Sequence, residues 1–379
     1  MGRLLYYSPS AYGGLADYAH EQANALSALG LEVEMMTTVH CPPRTDSRYK
    51  TCPVLLDAPK DHARGISRKI AWARRILRNH RLLAGQVKRG NHDTVLFGAY
   101  SEYLSPLWAR QFRSLAQKKI KFGAVIHDPV RDFMVGPPWW HRRSIAEAYS
   151  FLREAFVHEE IRLDTVRPVP GLRTSVIPHG PFRFPKPTSS SEQVREKWSI
   201  PNDAFVLLSF GHIRDGKNLD LAIRAIQDMP AVYLVVAGKE QSSGQKPLSY
   251  YQDLARSLGV EQRCRWIHGH IPEADVGNLF AGADGTLLTY AKNFHSASGV
   301  LNAAVQYRKP CVASAGGGNL CSVVQRYRLG WLVEPDSLPA LRSGIQRAVE
   351  EKLDPRWEEY EADNSWKRNA EIVAARMFN

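Results

Sequence analysis

The sequence predicts an α/β protein built from two doubly wound domains. Short apolar runs, typical of buried strands, alternate with segments whose apolar residues recur at helical spacing. The alternation occurs in two blocks, separated near residue 185 by the Pro- and Ser-rich segment PHGPFRFPKPTSSSEQ. A length of 379 residues, with 44% hydrophobic and 23% charged residues, suits two globular domains. We therefore predict a first domain at 1–183, a linker at 184–200 and a second domain at 201–354.

The first block opens with a βαβ pattern. The run RLLYYS predicts a strand, residues 9–14 a turn, and LEVEMMTT a second strand, with a helix through Leu29 between them. Further strands are predicted at DTVLFGA, FGAVIHD and TSVIPHG. The apolar positions of the helix share one face: Leu15, Tyr18, Ala19, Ala23 and Leu26.

The second block opens with the strand AFVLLSF and a turn that carries Arg214 and Lys217. A helix is predicted to start after Asn218, a residue type favoured at helix N-caps. Strands follow at VYLVVAG, RCRWIHGHI, GTLLTY and KPCVAS, with helices ending near Gly259 and Asp284. The turn with its two cations therefore lies at the carboxyl end of a strand, where ligands bind in doubly wound sheets.

Arg214 and Lys217 predict a phosphate-binding turn. The start of a helix attracts anions through its unpaired N–H groups, and two cations beside it favour a diphosphate. The alternative is that both residues are solvated loop charges. We favour the phosphate site because strands and helices alternate through the whole second half of the chain.

Composition limits the function classes without choosing one. A formal charge of +12 and a pI near 9.5 predict attraction to nucleotides, phospholipid head groups or nucleic acid. The five cysteines have no metal-ligand spacing, so the sequence predicts neither a disulfide framework nor a zinc site. No apolar run approaches the roughly 18 residues that would span a bilayer. We expect a cytoplasmic protein.

Three segments together resemble the glycosyltransferases of family four, the retaining GT-B enzymes of the "glycosyl transferases group 1" type. They are GGLADYAHEQANALSALGLEVEMMT, FGHIRDGKN and SGVLNAAVQYRKPCVASAGGGNLCSVVQRYRLGWLVEPDS. The resemblance covers nearly all of the chain and implies two Rossmann-like domains that face a central cleft. It implies that the second domain binds a nucleotide-diphosphate sugar and the first binds the acceptor. It also implies that the last helix, at 355–379, crosses back onto the first domain.

The same resemblance assigns roles to individual residues. Arg214 and Lys217 would stabilise the departing diphosphate, so that no metal ion is required. His127 would contact the transferring sugar or the acceptor, and the alternative is a histidine held by packing at a strand end. A possible metal site in HDPVRD, with Asp128 and Asp132, is interpreted more simply as a turn. The residues assigned to donor binding are Gly13, Gly14, Gly211, Ser298, Gly299, Val300 and Asn302.

The sequence departs from the family at two glutamates. Phe294 stands where a sugar-hydroxyl ligand is expected, and Asn302 where a ribose ligand is expected. An amide can still bind a hydroxyl, but a phenyl ring cannot replace a carboxylate. His295 and Ser296 are therefore assigned to the donor sugar. Either the chain is an active transferase with altered donor selection, which we favour, or it is a fold that binds without catalysing.

A basic segment at 60–90 contains ten Lys or Arg residues and one acid. It predicts an amphipathic helix, whose Arg74 and Arg75 could lie on an anionic membrane and approach a lipid-linked acceptor. The alternative is a domain helix with a solvated basic face. Trp139 and Trp140, in a Pro-rich loop, are assigned to a sugar ring or a membrane interface. The alternative is that they pack under the loop.

These observations predict a retaining hexosyltransferase that uses a nucleotide sugar and a glycan or lipid-linked acceptor in polysaccharide or glycoconjugate synthesis. The predicted location is the cytoplasm or the inner face of the membrane. A GT-B nucleotide-sugar epimerase or hydrolase is one alternative, and a carbohydrate- or nucleotide-binding pseudo-transferase is another. Nucleic-acid binding is not favoured, because the basic residues lack the aromatic pattern of a known reader.

Overall fold

The computed structural model describes residues 2–59, 65–90, 92–129, 131, 134, 136–181, 183–240, 245–294, 298–317 and 319–378. The chain divides into two compact units. The first unit comprises Met1–Gly180 and Asn364–Asn379, and the second comprises Pro181–Asp363.

Within the described residues, the first unit contains a seven-stranded parallel sheet in the order β3-β2-β1-β4-β5-β6-β7. Its strands are β1 (Arg3–Tyr7), β2 (Glu32–Thr38), β3 (Lys50–Leu55), β4 (Thr94–Phe97), β5 (Lys121–Val125), β6 (Glu154–Val157) and β7 (Arg173–Val176). The helices that precede the second unit are α1 (Gly14–Ala28), α2 (Gly65–Arg89), α3 (Ser105–Gln117) and α4 (Pro138–Tyr149).

The predicted strands of the first unit are confirmed, and burial explains them. All four residues of β4 are buried, and in β1 only Arg3 is exposed. Such runs are typical of parallel strands that are covered on both faces. The structure adds β3 and β6, which the sequence analysis did not predict. The buried Glu154 of β6 is paired with Arg173 and accepts a hydrogen bond from the Ser175 hydroxyl.

The tryptophan pair is a correction to the sequence analysis. Trp139 and Trp140 lie in the first turn of α4 rather than in a loop. Pro137 is the N-cap residue, and Pro138 opens the helix. Proline is well suited to this position because its fixed φ is helical and the N–H that it lacks would have no partner there.

Among the described residues, the second unit contains a six-stranded parallel sheet in the order β10-β9-β8-β11-β12-β13. Its strands are β8 (Phe205–Phe210), β9 (Val232–Gly238), β10 (Cys264–His268), β11 (Gly285–Thr289), β12 (Cys311–Ser314) and β13 (Gly330–Leu332). Its helices are α5 (Ser191–Lys197), α6 (Leu219–Ala225), α7 (Leu248–Ser257), α8 (Glu273–Gly282), α9 (Gly299–Gln306), α10 (Asn319–Arg326), α11 (Leu338–Glu350) and α12 (Trp357–Asp363).

The strands predicted for the second unit are confirmed. Asn218 is the N-cap residue of α6, as predicted, but it does not cap the helix through its side chain. Asn218 has a left-handed backbone, with φ 51°, and its side chain makes no cap hydrogen bond. Its side-chain amide instead donates to Asp336 Oδ1 over 2.8 Å. The helix α6 therefore begins after a residue whose side chain is hydrogen-bonded to a residue distant in sequence.

The last segment of the chain forms two helices rather than one. α12 belongs to the second unit, whereas α13 (Trp366–Phe378) belongs to the first. The Asn369 side chain donates to the Tyr18 hydroxyl and to the Pro178 carbonyl, and accepts a hydrogen bond from Gln22. Since Asn369 is fully buried, these bonds satisfy a polar group that would otherwise destabilise the packing of α13.

Candidate functional site

The turn that follows β8 holds a lysine against the end of its own strand. Gly211 leaves β8 with a φ of 90°, a conformation that favours glycine. A 3₁₀ turn, Asp215–Lys217, then carries Lys217 back, and its Nζ donates to the Phe210 carbonyl over 2.6 Å. The backbone of the same turn is tied to β11, because Thr289 Oγ1 donates to the Lys217 carbonyl over 2.9 Å.

Lys217 is a half-buried cation beside a second cation. Burial lowers the pKa of Lys217 to about 8, and the positive charge of Arg214 contributes to that lowering. Within the part of the chain that the structure describes, neither side chain forms an ion pair with a carboxylate. Two neighbouring cations without a counter-ion bind an anion favourably, because the anion offsets their mutual repulsion.

Arg214 lies over an aromatic stack. The rings of Tyr290 and Phe294 are parallel within 11° and their centroids are 3.9 Å apart. The Arg214 guanidinium carbon is 5.9 Å from the centre of the Tyr290 ring and 5.6 Å from that of Phe294. At these distances the electron-rich ring faces attract the cation. Phe294 therefore contacts Arg214 through its ring, and the absence of a sugar-binding carboxylate at this position remains a prediction from the resemblance.

The same stack is connected to the start of α9. The Tyr290 hydroxyl lies 2.9 Å from Ser298 Oγ, and Ser298 caps the helix by accepting from the Leu301 N–H. Gly299 and Val300 are the first residues of α9, so their N–H groups have no acceptor within the helix. A Cβ atom built on Gly211 would lie 3.4 Å from Lys217 Nζ and 3.7 Å from Val300. The structure thus brings Gly211, Lys217 and the start of α9 together.

Asn302 lies deeper than the sequence analysis implied. Its side chain is buried, and its Oδ1 accepts a hydrogen bond of 2.6 Å from the Tyr360 hydroxyl of α12. Its role as a ribose ligand remains a prediction. His295 and Ser296 lie outside the described residues, and their assignment to the donor sugar also remains a prediction.

In the first unit, Gly13 is the N-cap residue of α1 and Gly14 is the first residue of that helix. Gly13 has φ 81°, and its carbonyl accepts from the Ala16 and Asp17 N–H groups. Nothing lies within 4 Å of a Cβ atom built on either glycine. The backbone is therefore accessible from the side where these side chains would stand.

His127 belongs to a cluster of histidines and aromatic rings. Its Nε2 lies 2.8 Å from the Gly98 carbonyl, so that nitrogen carries a hydrogen and Nδ1 can accept. The Tyr18 ring meets the His127 ring edge-on at 4.6 Å. His158 lies 5.4 Å from His127 and 5.3 Å from His179, measured between ring centroids. We name the three histidines 127, 158 and 179 the histidine cluster.

Burial keeps the histidine cluster neutral. It lowers the pKa of His127, lowers that of His158 to about 3 and lowers that of His179 to about 4. The sequence analysis missed His158 and His179, although the signal was present. The segments AVIH, AFVH and VIPH each end with a histidine just past a parallel strand. Because such strand ends share one edge of the sheet, histidines in these three segments come to lie close together.

The residues predicted to contact an acceptor or a membrane lie on two helices of the first unit. Trp139 is 63% exposed, and its ring centroid is 5.7 Å from that of Trp140. Arg74 is exposed on α2. Arg75 is half-buried, because its guanidinium donates to the Leu56 and Pro9 carbonyls. No helix among the described residues combines the length and apolar character needed to cross a membrane.

A metal site finds no support in the described part of the chain. No cluster of three or more His, Cys, Asp or Glu side chains there has a geometry that could hold a metal ion. Asp128 is described, but Asp132, the other acid of the segment HDPVRD, lies outside the described residues.

Residues 190–372 match the family model described as Glycosyl transferases group 1. The part of the chain that this model matches belongs to the Glycosyl transferases group 1 family. The matched region contains β8, the Arg214 and Lys217 turn and the start of α9. The two cations and the aromatic stack are therefore features of a glycosyltransferase.

Solved structures show the GT-B fold across the whole chain. Sucrose-phosphate synthase from Thermosynechococcus elongatus is 16% identical with a TM-score of 0.65, covering 99% of this chain and 98% of that one. A glycosyltransferase from Rickettsia africae ESF-5 is 16% identical with a TM-score of 0.66, covering 100% and 99%. Alr3699/HepE from Anabaena, in complex with UDP and glucose, is 16% identical with a TM-score of 0.62, covering 100% and 96%. No curated protein matches the chain significantly.

The histidine cluster makes the stability of this glycosyltransferase depend on pH. Unfolded histidines have a pKa near 6.5, so the unfolded chain binds protons that the buried imidazoles of His158 and His179 exclude. The free energy of unfolding therefore falls as the pH drops below about 6.5 and continues to fall until the folded-state pKa values are reached. At pH 5 each excluded imidazole is expected to cost about 2 kcal/mol.

Urea unfolding of the His158→Gln variant at pH 7 and pH 5 tests this expectation. A glutamine amide can keep the donation that His158 Nδ1 makes to the Ile177 carbonyl, but it does not titrate. The variant is expected to lose about 2 kcal/mol less than the wild type between the two pH values. His270→Gln, at an exposed position, is the control. An unchanged pH dependence in His158→Gln would show that His158 is not held neutral by burial.

Proposed function

We propose that this glycosyltransferase transfers a hexose, with retention of anomeric configuration, from a nucleotide-diphosphate sugar to a glycan or lipid-linked acceptor. The observation that carries the proposal is the pair of cations Arg214 and Lys217, held without a described counter-ion beside the start of α9. The UDP and glucose bound by Alr3699/HepE, and the UDP-glucose bound in a second structure of that protein, support a uridine donor.

The charges of the site suit the departure of a diphosphate. As the bond between the anomeric carbon and the phosphate oxygen breaks, negative charge develops on the diphosphate. Lys217 and Arg214 would stabilise that charge, and the Gly299 and Val300 N–H groups would donate to the distal phosphate. In this proposal the two cations supply the charge neutralisation, and no metal ion takes part.

The acceptor half of the reaction needs no protein nucleophile. In a front-face transfer, the acceptor oxygen bonds to the anomeric carbon on the face that the diphosphate leaves. The acceptor hydroxyl proton passes to an oxygen of the leaving phosphate. His127 would then accept a hydrogen bond from a sugar or acceptor hydroxyl through Nδ1, consistent with the imidazole being neutral.

We assign the acceptor side to polysaccharide or glycoconjugate synthesis at the cytoplasmic face of a membrane. Support comes from the exposed apolar and basic groups of α2 and α4. Ile70 is 62% exposed, and the Arg75 guanidinium carbon lies 4.9 Å from the centre of the Trp72 ring. Trp139 is exposed on α4. Exposed tryptophans among cations suit peripheral contact with anionic lipid.

A pseudo-transferase is the second candidate, because both expected carboxylates are absent. Phe294 stacks on Tyr290, and Asn302 Oδ1 is occupied by the Tyr360 hydroxyl. The two cations favour an active transferase over a pseudo-transferase. Keeping Lys217 charged in a site that lowers its pKa costs free energy, and a charged Lys217 is useful for catalysing the departure of a diphosphate.

Calorimetric titration with UDP, GDP and ADP in the presence of EDTA tests the donor site. One nucleotide is expected to bind, and Lys217→Ala should weaken its binding by at least about tenfold, because a charge-assisted hydrogen bond is lost. Lys352→Ala, an exposed charge after α11, is the matched control. Absence of binding by all three nucleotides would refute the transferase proposal. Binding without turnover of the matching nucleotide sugar would favour the pseudo-transferase, and turnover without an acceptor would favour the hydrolase or epimerase.

The aromatic stack predicts a separate effect at Phe294. Phe294→Leu keeps an apolar side chain but removes one of the two rings that Arg214 faces. We expect the affinity for the bound nucleotide to fall by about three- to tenfold, the usual size of one cation–π contact. Phe294→Tyr retains the ring and should retain the affinity. Equal affinity in the leucine variant and the wild type would show that Phe294 does not position Arg214.

A further inference from the structure

A cavity of about 480 Å³ lies in the first unit, at the same sheet edge as His127. Its walls come from α4 and from the segments that follow β5 and β6. Pro129 in its wall is two residues beyond His127 along the chain. None of the donor-site residues of the second unit lines it. We name this feature the α4 cavity.

The walls of the α4 cavity contain three arginines, which differ in whether an acidic side chain is paired with them. Arg131 is held by two hydrogen bonds to the Glu102 carboxylate and donates to the Asp164 carbonyl. Arg142 and Arg162 also line the cavity, and neither forms an ion pair within the described ranges. These two guanidinium groups are therefore the ones left to bind a ligand, and a guanidinium fork fits a phosphate group well.

One carboxylate in the wall has to be taken into account. Asp164 lines the cavity, but its Oδ1 accepts the Val166 N–H over 2.9 Å and its Oδ2 lies 3.8 Å from Arg131 Nη1. Its charge is thus directed mainly to Arg131, which also faces Glu102. The cavity keeps a positive balance, because Arg142 and Arg162 remain without an acidic partner among the described residues.

Apart from His141, the rest of the wall is apolar. Ile145, Ile161 and Val166 contribute aliphatic groups, and Met134 contributes a side chain that is 58% exposed. Trp139, 63% exposed, follows the wall residue Pro138. Exposed apolar side chains next to unpaired arginines match a ligand that has a phosphate group and an adjoining hydrocarbon chain.

We propose that the α4 cavity binds the phosphate ester of an apolar alcohol, as the anchoring group of the acceptor. This inference rests on the proposed function, because it names the acceptor class of the same enzyme. Arg142 and Arg162 bind the phosphate, while Met134 and Ile161 contact the first carbons of the chain. The sugar carried by that phosphate then lies toward His127, at the shared edge of the sheet.

Binding of octyl phosphate, below its micelle concentration, tests the inference by calorimetry. Methyl phosphate has the charge without the chain, and octanol has the chain without the charge. Octyl phosphate is expected to bind one to one and at least about tenfold more tightly than either. The double variant Arg142→Ala/Arg162→Ala should weaken that binding by at least about tenfold. Arg143→Ala, an exposed neighbour on α4 that does not line the cavity, should leave it within about twofold.

Several results would overturn the inference. They are equal binding of octyl phosphate by the double variant and the wild type, binding of octanol as tight as that of octyl phosphate, and binding of methyl phosphate as tight as that of octyl phosphate. The last result would indicate a phosphorylated glycan rather than a lipid.

Nucleotide binding measured on the same variants serves as a folding control and separates the two proposals. If nucleotide binding is intact and octyl phosphate does not bind, only the cavity inference fails. If no nucleotide binds to the wild type, the proposed function itself fails.

Discussion

The second unit depends on holding two like charges close together at the end of its central strand. Burial lowers the pKa of Lys217, and the nearby Arg214 acts in the same direction, so both effects oppose the charged state. Within the described residues, the groups that offset this cost are neutral and none is a carboxylate. The Phe210 carbonyl accepts from Lys217, and the Tyr290 and Phe294 rings face Arg214. Since neutral groups attract cations only weakly, the site remains able to bind an anion strongly.

The geometry around Arg214 and Lys217 explains the roles of Gly238 and Asp215. Gly238, at the end of β9, has φ 151°, and a Cβ atom there would lie 2.0 Å from the Gly211 carbonyl oxygen. A glycine is therefore required for the turn after β8 to pack against β9. Asp215 fixes the same turn from the other side, because its Oδ1 accepts from the Lys246 N–H and from the Tyr251 hydroxyl. The two cations are thus positioned before any ligand arrives, which reduces the entropy lost on binding.

The sequence predicted the features that depend on local pattern. Buried parallel strands such as β4 and β8 are apolar runs, and the turn after β8 carries its two cations close together along the chain. The strands that escaped prediction lack such runs. β3 contains Pro53 and is mostly exposed, β6 begins with Glu154, and β13 is three residues long. Contacts between residues that are distant in sequence could not be predicted either. The Asn218 side chain was therefore expected to cap a helix, and its hydrogen bond to Asp336 was not foreseen.

The candidate site shows the same division between local and distant information. The motif around Ser298 and Gly299 was visible because a helix N-terminus has a local signature. The role of Phe294 was not, because it depends on Tyr290, whose ring lies beneath it, and on Arg214, which comes from a different strand end. The resemblance places a carboxylate at position 294, and the sequence analysis favoured an active transferase even without it. The structure shows that the Phe294 ring contacts Tyr290 and Arg214.

A crystal structure of the protein with bound UDP tests the central claim most directly. The account predicts that the distal phosphate lies within hydrogen-bond distance, about 3 Å, of Lys217 Nζ and of the Gly299 or Val300 N–H groups. It also predicts that the Arg214 guanidinium faces that phosphate while it remains over the Phe294 ring. UDP bound elsewhere, with Arg214 and Lys217 free of phosphate, would contradict the account.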